Sequence, residues 1–579
     1  MKQVVQTPWY HSYDKVRPHL DYPNCSAYKL LEDTAKKYPN YIAYEYFGKK
    51  VKFKKFIKKI DKAAKAFKAL GVNYQDVVCV CMPNTPEGII SFYALNKIGA
   101  VATMIHPLSS ESEIRYFVEL TKSKYIVTAD FVADKANNVA KDTTLQGIIA
   151  VSAGYSMSLA MKMGYKVTAG MKVSYHKTDI TLTWKEFIKI GKKYKKTYKT
   201  SFDGEDVAAI LYSGGTTGVP KGIELTNNNF NVLAVGVKEV MVVFEPKDSI
   251  LCIMPIFHGF GLGVSVHGVL CGGGKLILVP QFSAKTFDKL ITKHKPNAIV
   301  GVPTLFEALI SNKNLDGVDL SYLKMVISGG DSLSLGLKEK VDRFLMEHGA
   351  KVQVREGYGL TEALSACCVT PAFYYRPGSI GLPFPDTYIK IVKPDTQKEL
   401  KYGEVGEICI AGPLLMKGYV NNPKETNNAL RKHKDGMTWL HTGDMGFMDP
   451  DGYVYFKQRL KRMIMSSGYC VYPQYIENVV DSLDEVLYSC AIGIPHPYKQ
   501  EVAKVFIVLK DKNNKTSTVM DKIKKHCESQ LAKYSWPYEY EFRDSLPKTL
   551  VGKVAYKKLM EEEAEKREKM ANNVNNNDK

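Results

Sequence analysis

Apolar residues follow two different spacings along this chain, and each spacing predicts one kind of element. At 77–82 and 207–211 nearly every residue is apolar, which is typical of short strands buried on both faces. Elsewhere apolar residues recur every three or four positions, as at Phe53, Phe56 and Ile60, with lysines on the remaining face. That spacing predicts a helix with one buried face. Because the two patterns alternate, the sequence predicts parallel sheets covered by helices.

The same patterns give the order of the main elements. They predict strands near 42–47, 77–82, 100–105, 125–128, 207–211, 250–254, 275–279, 298–302, 325–328 and 351–354. They predict helices near 27–37, 53–70, 85–95, 112–120, 284–294, 304–311 and 335–348, and a helix that starts at 227. Short strands and turns around 394–418 indicate a smaller β-rich unit, and strands at 491–494 and 503–509 follow. Residues 152–198 are irregular, and we interpret them as a surface insertion rather than a lipid-facing lid.

Length, composition and charge limit the classes of protein to consider. The chain has 579 residues, of which 45% are hydrophobic and 11% aromatic, so two to four globular units are expected. The net charge of +20 suits anionic ligands such as nucleotides or anionic lipid. No arginine-rich arm, zinc-finger spacing or aromatic RNA-binding signature accompanies this charge, so nucleic acid is not an expected partner.

The cysteines and the apolar stretches bear on where the protein works. The eleven cysteines are irregularly spaced and several lie in apolar runs, which indicates buried thiols in a reducing compartment. The N-terminus has no apolar signal region. The longest charge-free stretch, 251–274, is interrupted by Pro255 and seven glycines and makes a poor membrane span. We therefore predict a soluble cytoplasmic protein, at most peripheral to a membrane, and we read 53–70 as a core helix rather than a membrane-surface helix.

The stretch 212–222 has the composition of a polyphosphate-binding loop. It contains four glycines, three hydroxyl side chains and one lysine. Glycine N–H groups can close around an anion, hydroxyls donate further hydrogen bonds, and the lysine adds a point charge. It is not a Walker A loop, because Pro220 precedes Lys221 and Gly222 follows it. A plain surface turn is the alternative.

Four further stretches carry candidate chemistry. In one of them, glycines on both sides of Tyr358 let its ring lie against a base, and Thr361 and Glu362 can reach phosphate and Mg²⁺. In the next, Asp444 follows a tight turn and can accept both ribose hydroxyls. Taken alone, Glu362 is equally a helix-start carboxylate and Asp444 a turn residue. The four stretches are 355–362, 439–444, 459–468 and 547–553.

In this order and spacing the five stretches resemble the adenylate-forming superfamily of acyl- and aryl-CoA synthetases, adenylation domains and luciferases. The resemblance runs from about 26 to 559 and is most similar to the medium- and long-chain fatty acyl-CoA synthetase branch. It implies an α/β fold with a large N-terminal domain of stacked mixed sheets, helices and a small β-rich subdomain. It also implies a small mobile α/β C-terminal domain. The expected bounds are 1–460 and 461–560, with 561–579 as a charged, Asn-rich, disordered tail.

The resemblance also implies an activity and a set of residues. The expected enzyme is an AMP-forming ligase that uses ATP and Mg²⁺ to adenylate a carboxylic acid and then forms a thioester with coenzyme A. Catalytic roles are implied for Lys553, Glu362, Thr361, His258 and the hinge residue Lys461. ATP binding is implied for Tyr212, Ser213, Gly214, Gly215, Thr216, Thr217, Gly218, Lys221, Gly329, Gly330, Asp331, Glu356, Gly357, Tyr358, Gly359, Thr361, Asp444, Arg459 and Lys553. Metal binding is implied for Glu362 and Thr217, the coenzyme A side for Ser467 and Gly468, and the acyl pocket for His258, Gly261, Gly301 and Val302.

Two residues depart from the family pattern, and one has a second interpretation. Arg462 stands where relatives usually carry an acidic residue, and Gln458 stands where aspartate is common, so the hinge hydrogen bonds are expected to differ. His258 is alternatively an ordinary core histidine.

The identity of the acid is less constrained than its activation. Glycines in the expected pocket leave room for a long apolar chain, and residues 255–263 carry no aspartate that would anchor an amino group. The alternatives are a ligase that loads an acyl carrier protein, an aryl-CoA ligase, and a non-catalytic acyl or nucleotide binder. Retention of Lys553 and Glu362 opposes the last of these. Acyl chain length is not predicted, because one side chain at the end of a tunnel would set it.

Overall fold

The structure is a computed structural model that describes residues 5–13, 15–167, 173–213, 220–372, 374–466, 469–549 and 552–577. Strands β1 to β27 and helices α1 to α16 are numbered along the chain. They form four sheets, and the first three are built from residues before 460.

The first sheet has eight strands and supplies one wall of the candidate site. Its members are β3 (Val77–Cys81), β4 (Val101–Met104), β5 (Tyr125–Ala129), β6 (Gly147–Val151), β7 (Thr181–Thr183), β8 (Val207–Ser213), β9 (Lys221–Thr226) and β19 (Gly418–Tyr419). Strands β3 to β8 pair in parallel, whereas β9 and β19 add on in antiparallel fashion. The apolar runs predicted these parallel strands correctly. Because β8 and β9 form a hairpin, the predicted phosphate loop lies between them.

The second sheet has nine strands and is also parallel through its centre. Its members are β1 (Ile42–Tyr46), β2 (Lys49–Lys52), β10 (Ser249–Cys252), β11 (Lys275–Leu278), β12 (Ala298–Gly301), β13 (Met325–Gly329), β14 (Val354–Tyr358), β15 (Cys368–Val369) and β16 (Leu382–Pro383). The strand predicted at 351–354 instead begins at Val354 and ends at Tyr358. This segment lacks the apolar run of the other strands. Pairing with β13, in which Ser328 lies opposite Glu356, holds it extended.

The third and fourth sheets are smaller. The third, largely antiparallel, contains β17 (Tyr388–Val392), β18 (Gly406–Ala411), β20 (Leu430–Lys432), β21 (Thr438–Met448) and β22 (Val454–Arg459). It confirms the β-rich unit expected around 394–418 and extends it. The fourth contains β23 (Ile464–Ser466), β24 (Tyr469–Val471), β25 (Val486–His496), β26 (Gln500–Leu509) and β27 (Glu539–Arg543).

Helices cover both large sheets and the fourth sheet. They are α1 (Ala27–Lys37), α2 (Phe53–Ala69), α3 (Pro86–Lys97), α4 (Glu111–Thr121), α5 (Ala133–Ala140), α6 (Leu159–Val167), α7 (Trp184–Lys193), α8 (Asn227–Val240), α9 (Val269–Cys271), α10 (Phe287–His294), α11 (Pro303–Ile310), α12 (Leu335–Glu347), α13 (Pro423–Ala429), α14 (Pro473–Asp481), α15 (Ser517–Gln530) and α16 (Tyr556–Asn577). A π-helix, Phe260–Gly268, precedes α9. Short 3₁₀ turns are Pro8–Ser12, Asp130–Val132, Ala284–Thr286, Lys313–Leu315, Thr361–Ala363, Leu460–Arg462, Lys512–Asn514 and Lys533–Ser535. As predicted, α2 buries Phe53, Phe56 and Ile60 in the core. Within the described residues no helix is both long and apolar enough to cross a bilayer.

Two expectations differ from the structure. Residues 152–198 are not simply a surface insertion, because β7 pairs with β6 and α7 packs on α2 through Phe187 and Phe67, whose rings are 4.8 Å apart. Short period-2 and helical patterns are hard to recognise inside a lysine-rich segment. At the other end, the structure continues α16 to Asn577, where a disordered tail was expected to start at 561. Its first turns are held because Leu559 and Glu563 are buried, so a helix nucleus exists for the charged segment to extend.

Candidate active site

Most of the predicted residues meet in one cavity of about 930 Å³. Its walls come from the ends of β8, β13 and β14, from the third sheet and from the segment after β27. The predicted residues that line it are Tyr212, Ser213, Lys221, His258, Gly329, Gly330, Asp331, Gly357, Gly359, Thr361, Glu362, Asp444, Arg459 and Lys553. The predicted loop residues Gly214, Gly215, Thr216, Thr217 and Gly218 lie outside the described residues, as do Ser467 and Gly468. Segments far apart in sequence therefore converge on one site.

Glu362 is held in a fixed position at this cavity. Its carboxylate accepts a hydrogen bond from the Tyr419 hydroxyl at 2.9 Å and one from Ser213 Oγ at 3.4 Å. The turn that carries it requires Gly359, because a Cβ there would lie 1.7 Å from the Ser365 carbonyl oxygen. A fixed, solvent-reachable carboxylate is a suitable oxygen ligand for a divalent cation.

Lys221 places a positive charge at the edge of the same cavity. Its ammonium forms an ion pair with Glu425 and lies 4.9 Å from the centre of the Tyr419 ring. Lys221 opens β9 and so stands directly after the predicted phosphate loop. A phosphate group held by that loop would compete with Glu425 for this ammonium.

Asp444 and Tyr358 form a buried polar pair. The Tyr358 hydroxyl donates to Asp444 Oδ2 at 2.7 Å, while Arg459 Nε lies 3.5 Å from Oδ1. Burial raises the pKa of Asp444. Oδ1 has no hydrogen-bond partner among the described residues, and neither has the side-chain amide of Gln458, which is 1% exposed and lines the cavity. Buried acceptors and donors of this kind are usually satisfied, so they mark a place for a polar ligand.

A second layer of polar groups holds the turn before Asp444. Glu407 Oε1 accepts from the Gly443 N–H at 3.0 Å, and Oε2 lies 2.8 Å from His441 Nδ1. His441 Nε2 lies 2.9 Å from His433 Nε2. All three side chains are buried. Glu407, Cys409 and His441 also bring a carboxylate, a thiol and an imidazole close together, but the contacts among them are those of a hydrogen-bond network. This set was not predicted from the sequence, because His441 alone lies within one of the five stretches.

Lys553 enters the cavity on a tight turn from the C-terminal part of the chain. Gly552 has a φ of +86°, and Thr304 Oγ1 donates to its carbonyl at 2.9 Å. The Lys553 Cε lies 3.6 Å from the position of a Cβ built on Gly330. Burial lowers the pKa of Lys553, and nearby Asp331 opposes that shift. The structure therefore holds the conformation in which this lysine faces the cavity.

His258 borders an apolar arm of the cavity. Its Nδ1 accepts from the Phe260 N–H at 3.2 Å, and burial, with a further contribution from Lys553, lowers its pKa to about 3, so the imidazole is neutral near pH 7. The arm runs between α8, the π-helix and the second sheet. Its apolar lining includes Val237, Val240, Met241, Val264, Ile327 and Phe384. None of these residues was predicted, because one sequence does not show that segments as far apart as Val237 and Phe384 line the same cavity.

Three of the residues expected to form the acyl pocket, and two expected at the adenine, Glu356 and Tyr358, do not line the cavity. A Cβ on Gly261 would lie 2.0 Å from the Pro255 carbonyl oxygen, so this glycine permits a close backbone approach. Gly301 packs against Leu305, and Val302 lies against the turn at Gly552. Glu356 is absent from the cavity lining and is buried, which raises its pKa to about 8.

The departure at Arg462 has a structural explanation. Its guanidinium donates to Glu477 at 2.6 Å and to the Ala491 carbonyl at 3.1 Å, and it lies 4.8 Å from the Tyr556 ring centre. It therefore ties the turn Leu460–Arg462 to the fourth sheet and α14. Lys461 sits in that turn.

Comparisons with known proteins agree with this geometry. The family model described as AMP-binding enzyme matches residues 31–420, and the AMP-binding enzyme C-terminal domain matches 475–553. A long-chain-fatty-acid–CoA ligase of Bacillus subtilis (strain 168) is 34% identical over 572 residues, which is 97% of this chain and 99% of the relative. One of Haemophilus influenzae is 32% identical over 581 residues, with coverage of 97% and 99%. Among solved structures, the anthranilate CoA ligase AuaEII in complex with anthranoyl-AMP has a TM-score of 0.81 at 23% identity, covering 95% of this chain and 98% of that one, and it supports the fold.

Proposed function

The chain belongs to the AMP-binding enzyme family, and we propose that it activates a long-chain fatty acid with ATP and joins it to coenzyme A. It is an AMP-forming acid–thiol ligase of the α/β adenylating fold. The observation that carries the proposal is the shape of the cavity. Its polar end gathers Lys221, Glu362, Asp444 and Lys553, and an apolar arm opens beside His258. A carboxylate with an apolar chain fits that combination.

In the first step a carboxylate oxygen attacks the α-phosphorus of ATP, and the bond to pyrophosphate breaks. The carboxylate, the α-phosphate and the leaving pyrophosphate are all negatively charged, so the reaction needs positive charge that is already in place. We assign Lys553 and Lys221 to this task, with Thr361 at the α-phosphate. Because the turn at Gly552 is anchored to Thr304, the ammonium of Lys553 is positioned before the substrate binds.

The nucleoside would bind at the buried polar pair. Asp444 Oδ1 and the Gln458 amide offer an acceptor and further polar groups to the ribose hydroxyls, and Arg459 adds a charge. Gly329, Gly330, Asp331 and Gly357 would line the adenine. Tyr358 is assigned to the base by its ring face, since its hydroxyl is held by Asp444.

Mg²⁺ fits the carboxylate of Glu362, which is fixed by Tyr419 and Ser213 and reaches the cavity. Thr217, which lies outside the described residues, is the second proposed ligand. When bound, the ion would neutralise phosphate charge.

In the second step the sulfur of coenzyme A attacks the acyl carbon, the bond to the AMP oxygen breaks, and AMP leaves. We propose that the C-terminal domain, 461–560, turns about Lys461 between the steps, withdrawing Lys553 and presenting Ser467 and Gly468. His258, neutral near pH 7, would stand between the apolar arm and the phosphates without adding a charge.

Relatives named as long-chain-fatty-acid–CoA ligases over nearly the whole chain favour the fatty acid and coenzyme A over the alternatives. An acyl carrier protein as acceptor is the second candidate, and the basic composition of the chain would suit an acidic carrier. We place the enzyme in the cytoplasm, with contact to a membrane surface.

The test is pyrophosphate release with ATP, Mg²⁺ and a panel of medium-chain, long-chain, aryl and amino acids, with and without coenzyme A. We expect release with long-chain fatty acids and multiple turnovers only when coenzyme A is present. Adenylate that accumulates and is discharged by acyl carrier protein but not by coenzyme A would move the assignment to the second candidate. ATP binding without release for any acid would overturn the enzyme assignment.

A further inference from the structure

The helix α6 exposes a stripe of apolar side chains to solvent. In α6, Leu159, Met163 and Val167 recur every fourth residue and are 78%, 60% and 74% exposed. On the other side Tyr165 packs inward, 2.8 Å from the position of a Cβ on Gly154, whereas Met161 is 44% exposed. A surface helix normally buries its apolar stripe, so this arrangement leaves the stripe of α6 without a partner among the described residues.

The exposed stripe of α6 lies beside a second exposed apolar side chain, that of Phe47. Ser158, the residue before α6, has its hydroxyl 3.7 Å from a Cβ built on Gly48. Gly48 forms the tip of the β1–β2 hairpin, and Phe47 beside it is 37% exposed and has a φ of 42°. We call Phe47 and the exposed stripe of α6 the apolar strip.

Lysines are concentrated in the segment that begins beside the apolar strip, because Lys49 directly follows Gly48. The hairpin and α2 carry ten lysines and one acidic residue between 49 and 68, and 185–199 carries seven lysines and one acidic residue. The two segments adjoin, because α7 packs on α2 so closely that a Cβ on Gly191 would lie 2.5 Å from the Lys62 carbonyl oxygen. On α2, the exposed lysines form no ion pair among the described residues; these are Lys54, Lys55, Lys58 and Lys62.

We propose that this combined surface docks the enzyme on an anionic lipid bilayer. Apolar side chains of α6 and Phe47 would enter the acyl layer while the lysines contact lipid phosphates. The proposal rests on the proposed function, since a long-chain fatty acid partitions into a bilayer and would be taken up there.

Charge and apolarity together select this partner over two others. A second copy of the chain would bring two unpaired lysine clusters together, which is unfavourable. A nucleic acid would use the lysines but would leave the apolar stripe exposed to water. Only a surface that is anionic at its boundary and apolar beneath satisfies both features.

The experiment measures co-flotation of the full chain with vesicles of phosphatidylcholine alone and with phosphatidylglycerol added. We expect binding to the anionic vesicles that weakens with salt, and binding at least about tenfold weaker to the neutral vesicles. Two variants should each weaken binding about tenfold or more, namely Leu159→Ser/Met163→Ser/Val167→Ser and Lys54→Glu/Lys58→Glu.

Matched controls use exposed side chains elsewhere. Met346→Ser, on a residue 70% exposed in α12, and Lys351→Glu/Lys398→Glu should bind vesicles as the unchanged chain does. All variants should keep full thioester formation with fatty acid dispersed in detergent, so loss of docking is separable from loss of the proposed activity. Equal binding to neutral and anionic vesicles, binding unaffected by the α6 variant, or self-association in place of vesicle binding would overturn the proposal.

Discussion

At the scale of single residues, the charge environment of Lys553 decides what the cavity can do. Its ammonium is partly buried and interacts electrostatically with Asp331, Asp444 and Arg459. Burial lowers its pKa, so the cavity holds this charge at a cost that an incoming phosphate would offset. The residue thus links the turn at Gly552 to the reacting centre.

Replacing Lys553 by Ala should slow pyrophosphate release by about 10²–10³-fold, because removing one preorganised donor to a developing charge has an effect of that size. The fall should be in kcat, with the KM for ATP changing less, as measured by coupled steady-state assays. Lys558→Ala, an exposed lysine five residues further on, is the control. Equal losses in both variants would argue against the assigned role.

Glu407 lies behind the proposed nucleotide site, where it contacts the turn before Asp444. Glu407→Gln should raise the KM for ATP about tenfold with little change in kcat, because the carboxylate positions Gly443 and His441 and a hydrogen bond to a charged group contributes about 1.5–3 kcal/mol. ATP titrations of steady-state rate measure both constants. A fall in kcat at unchanged KM would contradict a positioning role.

At the scale of elements, the turn Leu460–Arg462 connects the large sheets to the fourth sheet. Arg462 stands where the family resemblance implies an acidic residue, and its partner Glu477 lies on α14. Both side chains are largely buried, at 15% and 8% exposure, so neither would be satisfied by water if the other were removed.

Arg462→Ala should lower the free energy of unfolding by about 3–5 kcal/mol, because it leaves the Glu477 carboxylate buried and unpaired. Urea unfolding followed by tryptophan fluorescence measures the change. The double variant Arg462→Ala/Glu477→Ala should recover part of the loss, and Arg343→Ala, an exposed arginine, should have little effect. A double variant whose loss equals the sum of the single losses would show that the two residues are uncoupled.

The apolar arm is a property of α8, the π-helix and the second sheet together. Val240→Phe should lower kcat/KM for long-chain acids about tenfold or more while sparing shorter acids, because the added ring occupies space that distal methylenes would fill. Competition between two chain lengths measures the ratio. Val242→Phe, at a position 42% exposed, is the control, and an unchanged ratio in Val240→Phe would place the chain elsewhere.

At the scale of the whole molecule, what the sequence predicted and what it missed have physical causes. Buried parallel strands such as β3 and β8 are apolar at nearly every position, so their bounds were predicted to within one or two residues. The shift of β14 was missed, because its extended form depends on pairing with β13 rather than on its own side chains.

The residues of the site were likewise predicted where a local motif marks them and missed where distant segments pack together. Motif residues such as Asp444 and Lys553 were identified by their type and order, and the structure brings them to one cavity. The apolar arm and the network behind Asp444 were missed, because they arise from packing between distant segments. Gly261 and Gly301 do not line the cavity, because Gly261 permits a close approach of the Pro255 carbonyl and Gly301 packs against the Leu305 side chain.

In the proposed reaction this cavity joins a carboxylate oxygen to the α-phosphorus of ATP before coenzyme A reacts. The most direct measurement uses a long-chain fatty acid labelled with ¹⁸O in both carboxylate positions, and the AMP formed in the presence of coenzyme A is weighed by mass spectrometry. We expect one ¹⁸O atom in each AMP, because the carboxylate oxygen that bonds to phosphorus leaves with it. AMP without the label, or label found in inorganic phosphate beside ADP, would contradict it.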